Sequence, residues 1–330
     1  MRGRMLTSAA GVLALTVALA VPTAGQKRVS TTPRTPDGKP DLQGTYSFAT
    51  LTPLQRPEEL AGKDALSLEE AEAFEEKENK RLNRDHEPKQ TPPRAGNGLG
   101  YQGGIVAFND VWFERGEQLT DDLRTSLIVD PPDGRIPFNA AAQARMAERF
   151  RRSGGGYADS YTDRGIGDRC IMGFNSGPPM TPSAYNNNVQ IFQAPGYVAI
   201  LNEMIHNARI IPTDGRPHGT IRQWAGDSRG RWEGETLVVE TVNFKRETSL
   251  AGSSASMHLV ERFTRVDPIT LRYEYTVTDP ASYTRPWTVV MPLREADGLL
   301  YEYACHEGNY ALRGILEGAR ARERDAAAQK

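Results

Sequence analysis

Four of the five histidines lie in the C-terminal half of the chain: His206, His218, His258 and His306. A carboxylate, Glu203, precedes His206 by three residues. An imidazole beside a carboxylate can act as a general acid–base pair, so His206, His258, His306 and Glu203 are the candidate catalytic residues. Because residues three apart on a strand face opposite sides, Glu203 and His206 can act together only if a turn separates them.

The same side chains are also the usual ligands of zinc or iron. The chain contains no HxH or HExxH spacing, so the sequence leaves three roles open for these histidines. They are metal ligands, metal-free acid–base groups, or structural residues, and the identity of any metal stays unknown.

Arginine and aromatic residues meet at two predicted strand entries, Arg216-Pro217-His218 and Arg285-Pro286-Trp287. Such a pair can hold a carboxylate or a sugar by bidentate hydrogen bonds and stacking. The candidate ligand-binding residues are therefore Arg285, Trp287, Arg216, His218 and Trp224. The alternative is that these side chains only pack loops at the rim of a barrel.

The segment Gly226-x-Ser228-x-Gly230 matches the nucleophile elbow of serine hydrolases. That elbow needs a strand before the serine and a helix after it. The residues from Arg231 onward favour a strand instead, so we expect a polar hairpin turn at Ser228 and no nucleophile.

The chain has only two cysteines, Cys170 and Cys305. In an exported protein the simplest expectation is a disulfide between them. Two buried free thiols are one alternative, and a thiolate that acts as a metal ligand or nucleophile is the other.

Residues 1–25 are typical of a secretory signal peptide, with Arg2 and Arg4 before an apolar run and small residues at the cleavage region. No later apolar run is long enough for a membrane span. The net charge of −2 argues against nucleic acid as a partner. We therefore expect a periplasmic or secreted protein whose partner is a small molecule.

The sequence pattern divides the chain after the signal peptide into an N-terminal extension, residues 26–104, and a β domain, residues 105–330. The extension contains one helix at 67–85, opened by a Ser67/Glu70 capping box, and a linker rich in Pro and Gly. Within the β domain we expect a helix at 139–152, a long ordered flap at 153–188 over a binding face, and a C-terminal helix from Asn309.

From Val189 onward, short strands alternate with turn signals such as Pro195-Gly196 and Asp267-Pro268. This pattern predicts a mainly β protein, an antiparallel meander forming a barrel or a sandwich, with two or three peripheral helices. Several strands mix polar and apolar residues on both faces. Either cross-strand ion pairs lie on the outer face, or the barrel interior holds polar groups around a ligand.

The segments GRPHGTIRQW, GDSRGRWEGETLVVETVNF and YEYACHEGNY resemble an uncharacterised family of exported bacterial β-rich proteins. That resemblance covers the C-terminal half and implies export, but it supplies no activity and no catalytic residue. Gly44-x-Tyr46 is similar to the opening motif of lipocalins, with Tyr46 where that family has Trp, and this likeness implies a lipocalin-like barrel.

The sequence predicts an exported protein that binds or processes a small organic molecule in the mouth of a barrel, by His/Glu chemistry if it is catalytic. One alternative is a non-catalytic envelope protein that binds a partner or polysaccharide. Another is a metal-dependent hydrolase or oxygenase. A closed cavity with converging His and Glu would favour an enzyme, and an exposed aromatic patch outside the barrel would favour the envelope protein.

Overall fold

The computed structural model describes residues 32–83, 85, 110–154, 158–247, 250 and 252–329. The predicted signal peptide and most of the predicted Pro/Gly-rich linker lie outside these residues.

The described residues form ten strands, in which β-branched and aromatic residues alternate with polar ones. Glycines with positive φ, such as Gly196 (79°) and Gly234 (60°), supply the tight turns of the hairpins. The strands are β1 (Gly44–Ser47), β2 (Ile128–Asp130), β3 (Asn188–Ala194), β4 (Tyr197–Asn202), β5 (Asn207–Pro212), β6 (Asp227–Glu233), β7 (Thr236–Val242), β8 (His258–Asp267), β9 (Thr270–Thr278) and β10 (Trp287–Glu295).

Nine of these strands follow one antiparallel path, in the order β5-β4-β3-β1-β10-β9-β8-β7-β6. The N-terminal strand β1 joins two meanders, β3–β5 and β6–β10, and β2 pairs with β10 outside the path. Neighbouring strands on this path run in opposite directions, and the path contains nine strands. The first and last strands, β5 and β6, therefore run in the same direction. They cannot close the sheet with an antiparallel ladder.

The terminal strands nevertheless lie side by side at Gly230. A methyl group at this position of β6 would lie 3.0 Å from Cγ2 of Ile211 on β5 and 2.8 Å from Cγ2 of Thr213. Glycine thus allows the backbones to approach closely, and the sheet is nearly closed into a barrel. Of the two predicted architectures, the barrel is confirmed.

In the described part of the chain, three α-helices lie outside the barrel: α1 (Leu68–Leu82), α2 (Ala140–Gly154) and α3 (Tyr310–Ala328). The predicted capping box of α1 is present, because Ser67 Oγ accepts from the Glu70 N–H and the Glu70 carboxylate accepts from the Ser67 N–H. Asn139 caps α2 by accepting from the Ala142 N–H at 2.9 Å. The predicted peripheral helices are confirmed.

Ser228 does not lie in a turn, so the expectation of a hairpin turn at this residue is wrong. The turn comes earlier, at Gly226, whose φ is 69°. Ser228 lies within β6, and its hydroxyl is 2.9 Å from that of Thr241 on β7. This hydroxyl pair stabilises the strand pairing, and none of the four described histidines hydrogen-bonds to it.

The barrel interior is filled with large side chains. Neighbouring aromatic rings run through it, with centroid separations of 4.8 Å for Phe263–Tyr273, 5.5 Å for Tyr273–Tyr275 and 6.0 Å for Tyr275–Trp287. A buried ion pair, Arg209–Glu261, lies among them. Polar groups are thus present inside.

Ion pairs also lie on the outer face of the sheet. Arg262 contacts Glu233 at 3.0 Å, and Arg272 contacts Glu274 at 2.7 Å. The mixed strand pattern thus reflects ion pairs on the outer face and the buried Arg209–Glu261 pair inside the barrel.

Chain segments cover both ends of the barrel. At the end where β8 begins, flap residues 175–180 are buried, and the Met180 N–H donates to the Tyr273 hydroxyl at 3.2 Å. At the opposite end, Leu42 is buried and the Arg265 guanidinium donates to Asp41 O at 2.9 Å. Part of the predicted flap, residues 175–180, therefore plugs the barrel.

Candidate functional site: two clefts at the flap end of the barrel

The turn required between Glu203 and His206 is present, as a short 3-10 helix at Met204–His206. His206 is exposed, whereas Glu203 is buried. The Glu203 carboxylate accepts from Asn188 Nδ2 at 2.8 Å and from the Tyr301 N–H at 3.1 Å. Glu203 therefore ties the start of β3 to the segment before α3.

The other two candidate catalytic histidines lie on separate elements. His258 opens β8, and its Nε2 is 2.6 Å from Oε1 of Glu240 on β7. This hydrogen bond lowers the pKa of Glu240 below its ordinary value. His306 is exposed in the segment before α3. Among the described residues, no group of three or more His, Cys, Asp or Glu side chains could hold a metal ion.

Two of the candidate ligand-binding residues occupy very different positions. Trp287 is fully buried in the barrel, with its ring 6.0 Å from Tyr275 and 5.6 Å from Tyr283. Arg285 lies on the surface and donates to Asp130 Oδ1 at 2.8 Å. The structure does not bring these two side chains together.

The other three lie on the long connection from β5 to β6. The Arg216 guanidinium lies 5.3 Å from the ring of Tyr197, and His218 Nδ1 is 3.3 Å from Asp227 Oδ2. Trp224 makes cation–π contacts with Lys245 at 4.5 Å and with Arg169 at 5.6 Å.

The predicted disulfide is confirmed. Cys170 and Cys305 are bonded, with their Cα atoms 5.7 Å apart, and they join the flap to the segment before α3. Asn309 strengthens this junction, because its Nδ2 donates to Asp168 O at 2.8 Å and its Oδ1 caps α3.

A cleft of about 960 Å³ lies between α2, the flap and the loop that leads into β8. Arg145, Arg149 and Arg152 recur at the i, i+4 and i+7 positions of α2 and therefore share one helix face. We call this space the arginine cleft. Its charged lining residues are Arg145, Arg149, Arg152, Arg164, Arg246, Glu148, Asp163 and Glu247.

Five arginines against three carboxylates give this lining a surplus of two positive charges. Each of the three carboxylates also has an arginine partner: Arg151 contacts Glu148 at 2.7 Å, Arg152 Nε donates to Asp163 at 2.9 Å, and Arg169 contacts Glu247 at 3.2 Å. The partner arginines lower the pKa of both Glu148 and Asp163, so these carboxylates stay ionised.

Arg145 is held in place by neutral groups. Its Nη2 donates to Gly252 O and Ala281 O at 3.1 Å and to Ser282 Oγ at 2.7 Å. The buried Asp279 lies behind this wall and accepts from the same Ser282 hydroxyl at 2.7 Å. Arg145 is thus a fixed guanidinium in the lining of the arginine cleft.

A second cleft, of about 810 Å³, adjoins the first and is lined by the disulfide, the flap and α3. We call it the aromatic cleft. The Tyr185 ring stacks on Tyr303 at 6.5 Å and meets the edge of Phe174 at 5.5 Å. Burial raises the pKa of Tyr185 to about 12, with a further contribution from Tyr303. Arg149, Arg164 and Gly165 line both clefts.

The sequence contained a signal for part of this site. The spacing of Arg145, Arg149 and Arg152 on a predicted helix already indicates a basic face. Arg164 and Tyr185 carried no such signal, because the irregular flap places them and no periodicity predicts its path.

The outer face of β3–β5 carries an apolar strip. Phe192, Ala199 and Ile210 are direct neighbours across the three strands. Phe192 is 44% exposed, Ile210 60% and the nearby Tyr197 40%. Exposed apolar surface of this kind is typical of contact sites.

Comparison with known proteins assigns no family: no protein-family model matches the chain, and no curated protein matches it. Among solved structures, the chain is similar to a secretary abundant heat soluble (SAHS) protein from Ramazzottius varieornatus, at 11% identity and a TM-score of 0.23, over 33% of this chain and 70% of that one. This likeness is too weak to carry an argument. In the described part of the chain, no helix is long and apolar enough to cross a membrane.

Proposed function

We propose that this protein binds a small organic anion in the arginine cleft, as a non-catalytic binding protein of the periplasm or the secreted fraction. The observation that carries this proposal is the surplus of arginine over carboxylate in a cleft of about 960 Å³. Pockets of 300–1,000 Å³ are typical of small-molecule sites. Export rests on the predicted signal peptide, and a disulfide is consistent with an oxidising compartment.

Guanidinium groups suit carboxylate, sulfate and phosphate, because their planar donors can form two parallel hydrogen bonds to one anion. The lining also includes the hydroxyl groups of Thr162, Ser253, Ser254 and Ser256. Such neutral groups can hydrogen-bond the uncharged polar atoms of an organic ligand.

The test is a thermal-shift and calorimetric screen of the chain from residue 26 onward with sulfate, phosphate, citrate and benzoate at low ionic strength. A ligand that binds only the folded state raises Tm. We expect at least one anion to bind, and higher salt to weaken it because salt screens exposed charges.

Arg246 and Arg149 are the positions to vary. Arg246 is exposed, and it has no hydrogen bond or ion pair within the described residues. Loss of one charge-assisted hydrogen bond corresponds to roughly a tenfold weaker affinity, so Arg246→Gln and Arg149→Gln are expected to weaken binding by about that factor. Arg313→Gln, on α3 and outside the cleft, is the matched control. Binding that is equal in all three variants would contradict the proposal.

A second candidate function, binding of an envelope polysaccharide, is favoured by the apolar strip on β3–β5. Phe192 and Tyr197 present exposed rings on a sheet surface, where a sugar ring could stack. Co-sedimentation with peptidoglycan, cellulose and chitin tests it. We expect Phe192→Ala to abolish retention if this function holds, and Phe150→Ala, an exposed phenylalanine on α2, to leave it intact.

In the catalytic alternative, the acid–base groups or metal ligands are His206, His258, His306 and Glu203. Elemental analysis of untagged protein and of its His206→Ala and His306→Ala variants tests the metal-dependent form. Near-stoichiometric zinc or iron that both variants lose would support a hydrolase or oxygenase over a binding protein.

A further inference from the structure

We infer that the ligand is an amphipathic anion, whose charged head lies in the arginine cleft and whose aryl or alkyl body lies in the aromatic cleft. This inference rests on the proposed function and specifies its ligand class. Its starting point is that Arg149, Arg164 and Gly165 line both clefts. The two spaces are therefore neighbours with a common wall that carries positive charge.

The aromatic cleft differs in chemistry from its neighbour. Arg149 and Arg164 are shared with the arginine cleft, and the charged side chains that belong to the aromatic cleft alone are two carboxylates, Asp168 and Glu302. The remaining wall is largely apolar. It consists of aromatic rings, aliphatic side chains and the disulfide, contributed by Phe174, Tyr185, Tyr303, Met204, Leu312 and Ile315 with Cys170–Cys305.

The rings in this cleft are available to a ligand. Phe174 is 48% exposed, although it packs edge-on against Tyr185 at 5.5 Å. Tyr185 and Tyr303 are stacked with an interplanar angle of 13°. An exposed phenylalanine beside a stacked pair offers an apolar surface on which an aryl group gains by stacking and by burial.

The walls of the aromatic cleft are joined covalently. Cys170 belongs to the flap and Cys305 to the segment before α3, and both line the cleft. The disulfide thus adds a covalent link to the Asn309–Asp168 hydrogen bond that already joins these two segments around the aromatic cleft. A preorganised site of this kind needs little ordering when the ligand binds.

The probes are acetate, phenylacetate, 4-phenylbutyrate, the neutral 4-phenylbutanamide and inorganic sulfate. We expect affinity to rise from acetate to 4-phenylbutyrate, by about three- to fourfold for each buried methylene. The neutral amide should bind at least tenfold more weakly than 4-phenylbutyrate. Sulfate should compete with 4-phenylbutyrate, because both use the arginine cleft.

Two matched phenylalanine variants test the position of the body. Phe174→Ser removes a ring of the aromatic cleft, and Phe150→Ser removes an exposed ring of α2 that lines neither cleft. We expect Phe174→Ser to weaken 4-phenylbutyrate at least fivefold and to leave sulfate unchanged. Phe150→Ser should change neither. Reduction of the disulfide is the second perturbation, and it should weaken 4-phenylbutyrate more than sulfate.

The possible failures are distinguishable. If no probe binds, the proposed function itself fails. If sulfate binds and is weakened by Arg246→Gln, while aryl chain length and Phe174→Ser have no effect, the proposed function stands and the amphipathic ligand is wrong. If 4-phenylbutanamide binds as tightly as 4-phenylbutyrate, the charged head plays no part and the inference is wrong.

Discussion

The guanidinium of Arg209 on β5 donates to both carboxylate oxygens of Glu261 on β8, with Nη2 2.9 Å from Oε1. The Tyr273 hydroxyl donates to the same carboxylate at 2.7 Å, and all three side chains are buried. Burial, together with the Glu261 charge, raises the pKa of Tyr273 well above its ordinary value. Strand β5 is a terminal strand and has no hydrogen-bonded ladder to β6. The Arg209–Glu261 pair therefore joins β5 to β8 across the barrel interior.

Glu261→Gln is expected to destabilise the fold by about 3–5 kcal/mol, because it leaves the Arg209 charge buried without a counter-charge. Urea unfolding followed by circular dichroism gives the change in free energy. The double variant Arg209→Met/Glu261→Leu should recover most of the loss. Glu274→Gln, which breaks an exposed pair with Arg272, is the control and should cost less than about 1 kcal/mol. Equal effects of the two single variants would contradict the interpretation.

Local sequence chemistry was sufficient for much of the fold. The Ser67/Glu70 box and Asn139 are helix caps whose partners lie within a few residues, so sequence identifies them. Pro195-Gly196 marks the β3–β4 hairpin for the same reason. The disulfide was predictable because only two cysteines exist, which leaves one possible pairing.

Features that depend on distant partners were not predictable. Nothing near Arg209 in the sequence indicates Glu261, and the strand pattern does not show that β1 lies between β3 and β10. The predicted hairpin turn at Ser228 is wrong because Gly226 and Gly230 both favour turns locally. In the fold, Gly230 instead allows β6 to approach β5 closely. The arginine and aromatic clefts form only when the irregular flap packs beside α2 and α3.

The plug at the flap end of the barrel depends on Gly177. Its φ is 70°, and a Cβ there would overlap the backbone of Pro179. Gly177→Ala is expected to destabilise the protein by about 3 kcal/mol, from backbone strain and overpacking together. Gly196→Ala is the matched control, since φ is 79° there but no atom lies within 4 Å of the added Cβ. It should cost only about 1 kcal/mol. Chemical denaturation of both variants measures the difference.

Reduction of Cys170–Cys305 should loosen α3 before the barrel unfolds. The bond spans 135 residues, so its loss costs at most about 5 kcal/mol on the chain-entropy model. Limited trypsin digestion after reduction should cut first at the arginines of α3, such as Arg313 and Arg320, and leave the strands intact. The Cys170→Ala/Cys305→Ala variant should behave the same way without reductant. First cleavage within β6–β10 would refute this order.

Asp163 gives a pH-dependent contribution to stability. Its carboxylate accepts from Arg152 and from the Ser160 N–H, which lowers its pKa in the folded protein. A carboxylate with a lowered pKa stabilises the fold above its unfolded pKa of about 3.9, and this contribution disappears as pH falls through the folded value. Asp163→Asn should therefore lower Tm at pH 7, and the difference from the wild type should shrink below about pH 4. Glu323→Gln, at an exposed pair on α3, should show a smaller difference at every pH. If the Tm difference between Asp163→Asn and the wild type stays constant with pH, ionisation of Asp163 is excluded as its cause.

His258→Asn separates the binding function from the catalytic alternative. His258 and Glu240 are hydrogen-bonded at 2.6 Å on the outer face of the barrel, and neither lines the arginine or the aromatic cleft. We therefore expect His258→Asn and Glu240→Gln to leave anion affinity unchanged within twofold in calorimetry. His218→Asn, which breaks the comparable contact with Asp227, is the matched control. The wild type and the three variants are also screened for turnover of esters, lactones and glycosides. Turnover that is lost in His258→Asn and Glu240→Gln but retained in His218→Asn would establish His258 as an acid–base residue. An enzymatic function would then replace the binding function.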